Sequence, residues 1–315
     1  MSGRRRIVFA VIAVLLSTIV AAGGLLALDL YLHYRHGVNP WGYRGPALGI
    51  KAPREQRVAV VGGSTAWGYR VTWPDAFPAM LERRLDETHR RRGGGPVHVV
   101  NLAYNNEGAY SFRFTLEDYA YLDYDVALLY TGYNDLGRSG RDGPGNQQVI
   151  RRASPVFRLI GYWPLIPVIV PRALGWPWDR GAGDRAVVTE GRRRRARPAN
   201  RVAGEPAPGA DLDGKEWAYY CWSVRTAVEY ALARGARVMV VTQPFISSRH
   251  VAQQRALATT LRTAFGGDGR VRHVDLGGAV DLGDVTLAFD GMHLTPAGNA
   301  RIAEALVGPA LELLE

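Results

Sequence analysis

The sequence predicts an α/β fold, a parallel sheet covered by helices on both faces. Three observations carry this. Short β-branched runs recur five times, helical stretches separate them, and the unusual polar residues fall just after the runs. Strands alternating with helices require crossover connections, which make neighbouring strands parallel and lay the helices over the sheet. In such sheets ligands sit at the carboxyl ends of the strands.

The 315-residue chain begins with Arg4, Arg5 and Arg6, after which Ile7–Leu28 carries no charge. A helix over this run is long enough to cross a hydrocarbon core. Tyr31, Tyr34 and Trp41 follow, as in an aromatic interface belt. A cleavable signal peptide is the competing reading, because small residues occupy Ala21–Gly24. The lack of a clear A-x-A site and the length of the run favour a retained anchor over residues 1–36. Arg35, Arg44 and Lys51 follow the span, so the charge asymmetry across it is weak. A lone anchor with so short a tail usually leaves that tail in the cytoplasm, which places the following domain outside it.

Residues 37–56, rich in Gly and Pro, read as a juxtamembrane linker. RVAVVGGST (Arg57–Thr65) is a buried strand ending in a sharp glycine turn. Asp75–Arg91 shows helical spacing of Phe77, Leu81 and Leu85. Val97–Ala103 is a second strand, Tyr110–Leu122 a helix, and Asp125–Asp135 a third strand running into a loop. The alternation breaks over an insertion at about 138–212. Within it, Ser154–Trp178 is too short between Arg158 and Arg172, and too interrupted by proline, to span a bilayer. A lid, an interfacial segment and insertion core all remain open for it. Arg192–Ala210 has the composition of a disordered loop. Alternation resumes with a helix over Glu216–Gly235, then the strand ARVMVVTQPF, the helix VAQQRALATTLRTAF, the strand VRHVDL and a C-terminal helix. Pro296 suits the first position of that last helix. The domain thus runs over residues 57–315.

With 47% hydrophobic and 22% charged residues, the chain can bury a sizeable core. The formal charge of +10 comes from arginine runs at Arg4–Arg6, Arg90–Arg92 and Arg192–Arg195. No nucleic-acid motif accompanies them, so they read as solvated surface and no nucleic-acid partner is expected. Cys221 is the only cysteine, which excludes an intramolecular disulfide and a cysteine-rich zinc site.

The strand ends hold the candidate chemistry. The first gives GGST, with Ser64 after two glycines. Alone it reads as a tight turn with a capping hydroxyl. The second gives NNEGAYS with Gly108, alone a glycine serving a positive φ. The third gives TGYND, alone a polar turn, although the Asn134 amide is suited to donate to an oxyanion. Near the C-terminus DGMH supplies Asp290 and His293 three residues apart, either a solvated turn or a carboxylate fixing an imidazole. Tyr133 and Asp135 flank Asn134 and read as structural, and the remaining histidines read as surface or strand residues. Taken together the loops supply a nucleophile, a base, an orienting carboxylate and three oxyanion donors, the full requirement of acyl transfer.

In these four blocks the sequence resembles the SGNH/GDSL hydrolase superfamily. VVGGSTAWG matches at Ser64, NNEGAYS at Gly108, TGYND at Asn134, and DGMH at Asp290 and His293. The blocks span Arg57 to the C-terminus, with the insertion between the third and the last. The resemblance implies a three-layer α/β/α sandwich with a central parallel sheet of about five strands, flavodoxin-like in type. It also implies ester cleavage without metal or cofactor. Ser64 would be the nucleophile, His293 the base and Asp290 its orienting carboxylate. Ser64 and Gly108 N–H groups and the Asn134 amide would form the oxyanion hole. One departure stands out: the family's name-giving GDS has aspartate before serine, whereas this chain has Gly63. That puts the lipase-like branch in doubt and leaves the triad whole.

Other assignments fail on spacing. An α/β-hydrolase elbow needs G-x-S-x-G, but residue 66 is Ala66. GGSTAWG lacks the dinucleotide-binding G-x-G-x-x-G, and no Gly-Lys-Ser/Thr phosphate loop occurs. Asp290 and His293 lack further metal ligands at recognisable spacing. The expected activity is hydrolysis of an O-acyl ester on an envelope glycan or lipid. Two alternatives remain: an O-acyltransferase using the same Ser64 with a glycan acceptor, and a catalytically idle glycan-binding envelope protein.

Overall fold

The computed structural model describes residues 3–136, 146–173 and 216–315. The arginine tract at 192–195 and most of the insertion expected at about 138–212 lie outside the described residues. The strands are β1 Gln56–Gly62, β2 Val97–Asn101, β3 Val126–Thr131, β4 Arg237–Thr242 and β5 Val271–Asp275. The helices are α1 Gly3–His36, α2 Ser64–Trp67, α3 Phe77–Arg91, α4 Ala109–Asp118, α5 Pro155–Ile160, α6 Ile166–Ala173, α7 Ala218–Ala233, α8 Ser248–Phe265 and α9 Pro296–Leu314.

The five strands form one sheet in the order β2-β1-β3-β4-β5, with every neighbouring pair parallel. Val58, Val60 and Val61 make β1 a buried, β-branched strand, and it pairs on both sides, Val60 with Asn101 and with Leu128. Side chains alternate across the sheet and divide the core in two. Ala59, Val61, Ala127 and Leu129 pack with α4, α7 and α8. Val58, Val60, Leu128 and Met239 pack with α3 and α9 through Phe77, Leu81, Ile302 and Leu306. Leu81 is fully buried, and its truncation to alanine is expected to cost about 2–5 kcal/mol.

Chain order fixes the site. From β1 the chain crosses to β2 on one side, and β3 then enters on the other. The ends of β1 and β3 therefore border the switch point, where the loops after the two strands diverge and leave a crevice.

Residues 37–55 carry no helix or strand, yet they are packed onto the domain, and Gln56, the last residue of the expected linker, already belongs to β1. Val38, Tyr43 and Arg44 are buried, and the Pro40 carbonyl accepts from Trp163 N–H at 2.9 Å. α1 changes character near its end. Ile7–Leu28 is exposed throughout and forms a helix long and apolar enough to cross a membrane, whereas Asp29 and His33 are buried. Asp29 Oδ1 accepts from the N–H groups of Leu165 (2.8 Å) and Ile166 (2.7 Å), satisfying orphan donors at the start of α6. Tyr162 donates its hydroxyl to the same carboxylate.

Candidate active site

β1 ends at Gly62, and the chain turns through Gly63 into the short α2, whose first residue is Ser64. A Cβ at Gly63 would lie 2.1 Å from Asn134 Nδ2. The third strand-end loop thus closes on residue 63, and a side chain there would displace the Asn134 amide from its present position.

Ser64 Oγ lies 2.9 Å from His293 Nε2, and His293 Nδ1 lies 2.7 Å from Asp290 Oδ2. A carboxylate on Nδ1 requires the proton there, which leaves Nε2 to accept the serine hydroxyl. Asp290 Oδ1 also accepts from His293 N–H at 2.7 Å and Met292 N–H at 3.1 Å, so the carboxylate organises its own loop. Partial burial pushes the Asp290 carboxyl up, but these hydrogen bonds outweigh it and hold the group below its ordinary value. The loop is closed by Phe289 N–H to the His293 carbonyl (3.1 Å), and Thr295 then caps α9 by accepting from Gly298 N–H at 3.2 Å. Tyr69 and Phe289 flank the imidazole, with ring centroids 4.7 and 5.9 Å away.

The other two blocks meet the first. Gly108 immediately precedes α4, and the N–H groups of Ser64 and Gly108 have no acceptor among the described residues. Asn134 Nδ2 donates to the Glu107 carbonyl at 2.8 Å, which fixes the amide and leaves its second N–H unused by that bond. Beneath Gly108 lies the Asp135 carboxylate, 2.6 Å from where a Cβ at residue 108 would stand. Asp135 Oδ2 accepts from Ala109 N–H at 3.0 Å, but burial outweighs this bond and pushes the carboxyl up to about 7. All five sequence-selected residues thus stand around one crevice at the strand ends.

Several supporting residues escaped the sequence reading. Arg44 donates to the carbonyls of Trp67, Gly68 (2.6 Å) and Val71 (2.5 Å), clamping the exit of α2. Burial pushes its guanidinium down to about 10, which still leaves it charged at neutral pH. Gln243 donates to Thr65 Oγ1 (2.7 Å) and accepts from Tyr133 N–H (2.7 Å), tying α2 to the loop after β3. Glu107 is buried and accepts from Ile150 N–H at 2.8 Å. A charged residue next to Gly108 was the one signal in the sequence that pointed here.

The reading of the remaining histidines as surface or strand residues is corrected at two positions. His33 is buried on α1, and His250 is fully buried on α8 between Tyr133 and Phe245 (centroids 5.0 and 5.6 Å). Burial pushes His250 down to about 4, so it is neutral. Its neighbours Ser247, Ser248 and Arg249 resemble a surface segment, and only the packing of α8 turns the ring inward.

No protein-family model matches the chain, and no curated protein matches it. Solved structures do. A catalytic mutant of an acetylxylan esterase from Geobacillus stearothermophilus is 13% identical, covering 80% of this chain and 93% of its own, with a TM-score of 0.47. A member of the lipolytic protein G-D-S-L family from Veillonella parvula is 11% identical over 80% of this chain and 97% of its own, with a TM-score of 0.46. An alpha/beta hydrolase enzyme from the metagenome of Lake Arreo is 16% identical over 82% of this chain and 96% of its own, at a TM-score of 0.47. Each is a likeness of chain path alone; the chemistry rests on the side chains at the strand ends.

Proposed function

We propose that this chain is a serine esterase of the SGNH/GDSL type that hydrolyses an ester through an acyl-enzyme on Ser64. The supporting observation is the unbroken chain Ser64 Oγ–His293 Nε2–Asp290, with separations of 2.9 and 2.7 Å. Ser64 Oγ attacks the ester carbonyl while His293 Nε2 takes its proton, and Asp290 stabilises the imidazolium that forms. The tetrahedral oxyanion accepts from the unengaged N–H groups of Ser64 and Gly108 and from the second N–H of Asn134. Collapse expels the alcohol, which receives the proton from His293. Water, deprotonated by the same imidazole, then releases the acid and frees Ser64.

The substrate we infer is an O-acyl group on an envelope glycan or lipid. α1 supports this, because a membrane helix joined to the domain by the packed residues 37–56 holds the crevice near a bilayer. The same helix supports an anchored protein, and we infer that its catalytic domain lies outside the cytoplasm.

The test is release of p-nitrophenol from p-nitrophenyl acetate by the full chain in detergent, with no acceptor sugar added, beside Ser64→Ala. Hydrolysis that vanishes with Ser64 is the expected result. A folded chain that is inactive, or that loses nothing with Ser64, removes the esterase reading.

A further inference from the structure

We propose that the cleft between Trp41, Tyr121 and α5 binds the headgroup of an anionic phospholipid from the bilayer that α1 enters. This rests on reading α1 as a membrane span and is independent of the Ser64 chemistry.

α5 faces the wrong way for a helix in water. Val156, Leu159 and Ile160 stand one, three and four positions apart on one stripe, and they are 40%, 84% and 61% exposed, while Phe157 points inward. An outward apolar stripe on a short helix is the pattern of a segment that rests on lipid. Its position agrees. α5 ends at Ile160, and two residues later the Tyr162 hydroxyl meets Asp29, the first residue past the uncharged run of α1. If that run occupies the hydrocarbon, Asp29 and the end of α5 lie at headgroup depth. Tyr31 and Tyr34, 57% and 83% exposed, mark the same level. On this reading the outward face of α5 is interfacial, while Phe157, Trp163 and Leu165 of the same segment pack into the core.

Beside the stripe is an open cavity of about 670 Å³, walled by Trp41, Tyr119, Tyr121 and Phe157 and containing Asp118, Arg152 and Arg158. Arg152 is engaged by Asp118 at 2.7 Å and by Glu117 at 2.9 Å. Arg158 forms no ion pair among the described residues, so it is the cation available to a phosphate there. A single guanidinium holds a free phosphate poorly against water. The apolar walls and stripe contribute only when the phosphate carries acyl chains, and for this reason the occupant is assigned as a lipid. The cleft is distinct from the crevice at Ser64. Asp118 ends α4, whose other end follows Gly108, about 15 Å away along the helix.

The experiment places the full chain in nanodiscs containing equal amounts of phosphatidylcholine and phosphatidylglycerol and counts retained lipids by native mass spectrometry. Wild type should retain phosphatidylglycerol about fivefold over phosphatidylcholine, the preference expected from one interfacial arginine. Arg158→Glu should abolish that preference with p-nitrophenyl acetate hydrolysis unchanged, whereas Arg84→Glu on α3 should keep it. Equal retention of the two lipids, or a preference that survives Arg158→Glu, overturns the site. So does displacement of phosphatidylglycerol by inorganic phosphate at matching concentration, which would make the cleft a plain anion site. An alkaline carbonate wash distinguishes the underlying reading. A chain that leaves the membrane sinks the anchor and this site together, while a chain that stays without lipid preference sinks the site alone.

Discussion

The rim and the floor of the strand-end crevice obey opposite rules. On the rim, Ser64, His293 and Asp290 are partly open to solvent and fully connected by hydrogen bonds. On the floor, Asp135, His250, Gln253 and Gln254 are buried, and both His250 nitrogens, Gln253 Nε2 and Gln254 Oε1 lack a partner among the described residues. Buried polar groups are ordinarily satisfied and exposed ones left to water. The inversion shows where stability is given up. In the proposed reaction the rim moves a proton and admits substrate, so its bonds are complete before substrate arrives. The floor holds the loops at close approach, at Gly108 over Asp135 for example, and carries the cost of desolvation.

The sharpest way to break this comparison is at the rim. His293→Ala should lower the rate of ester hydrolysis by about 10⁴-fold or more while leaving thermal stability nearly unchanged, since the ring is peripheral to the core. Steady-state kinetics beside a melting curve measures both. A large loss of stability would mean that the rim is structural. Next comes the donor between rim and floor. Asn134→Ala should cost about 10²–10³ in kcat, with KM for a short ester little affected, because the oxyanion exists only along the reaction path. An effect confined to KM would remove Asn134 from that role.

A smaller effect is expected from the support behind the nucleophile. Arg44→Met withdraws the clamp on the carbonyls of Trp67, Gly68 and Val71. It should destabilise the chain by about 2–4 kcal/mol and slow hydrolysis by about ten- to a hundredfold through misplacement of Ser64. Urea titration and kinetics on the same preparation test this. A loss of stability with an unaltered rate would show that α2 holds its geometry without Arg44.

How much of this was legible in the sequence follows from the same division. The rim was legible because Ser64 sits in a short motif just after β1, and Asp290 and His293 share one turn in which the D-x-x-H spacing survives. Three of the five strands were legible because β1, β3 and β4 are buried on both faces and read as continuous apolar runs. The floor was not. His250 reaches Tyr133 across more than a hundred residues of sequence, and nothing near it in the chain marks it as buried. Arg44 was lost in a Gly/Pro-rich stretch whose composition reports irregular backbone and is silent on packing. Asp29 was passed over because it follows an uncharged run, although its carboxylate caps a helix 136 residues later.

The finest probe of the comparison is the pH dependence of stability, where two floor residues oppose each other. Asp135 has a folded pKa of about 7 against an ordinary carboxyl value near 3.9, because burial disfavours its charge. Between those values the folded chain binds more protons than the unfolded one, so this group makes stability fall as pH rises from about 4 to 7. His250 has a folded value of about 4 against an ordinary value near 6.5, again through burial. Here the folded chain binds fewer protons, so the same window sees stability rise with pH. In the native chain the two contributions offset. Asp135→Asn should therefore make the melting temperature climb more steeply between pH 4.5 and 6.5, and His250→Gln should make it fall over that range. The double variant should restore the shallow native slope at lower overall stability. Parallel melting curves for all four chains would mean that neither group is held in its buried charge state, and the floor would then be as wet as the rim.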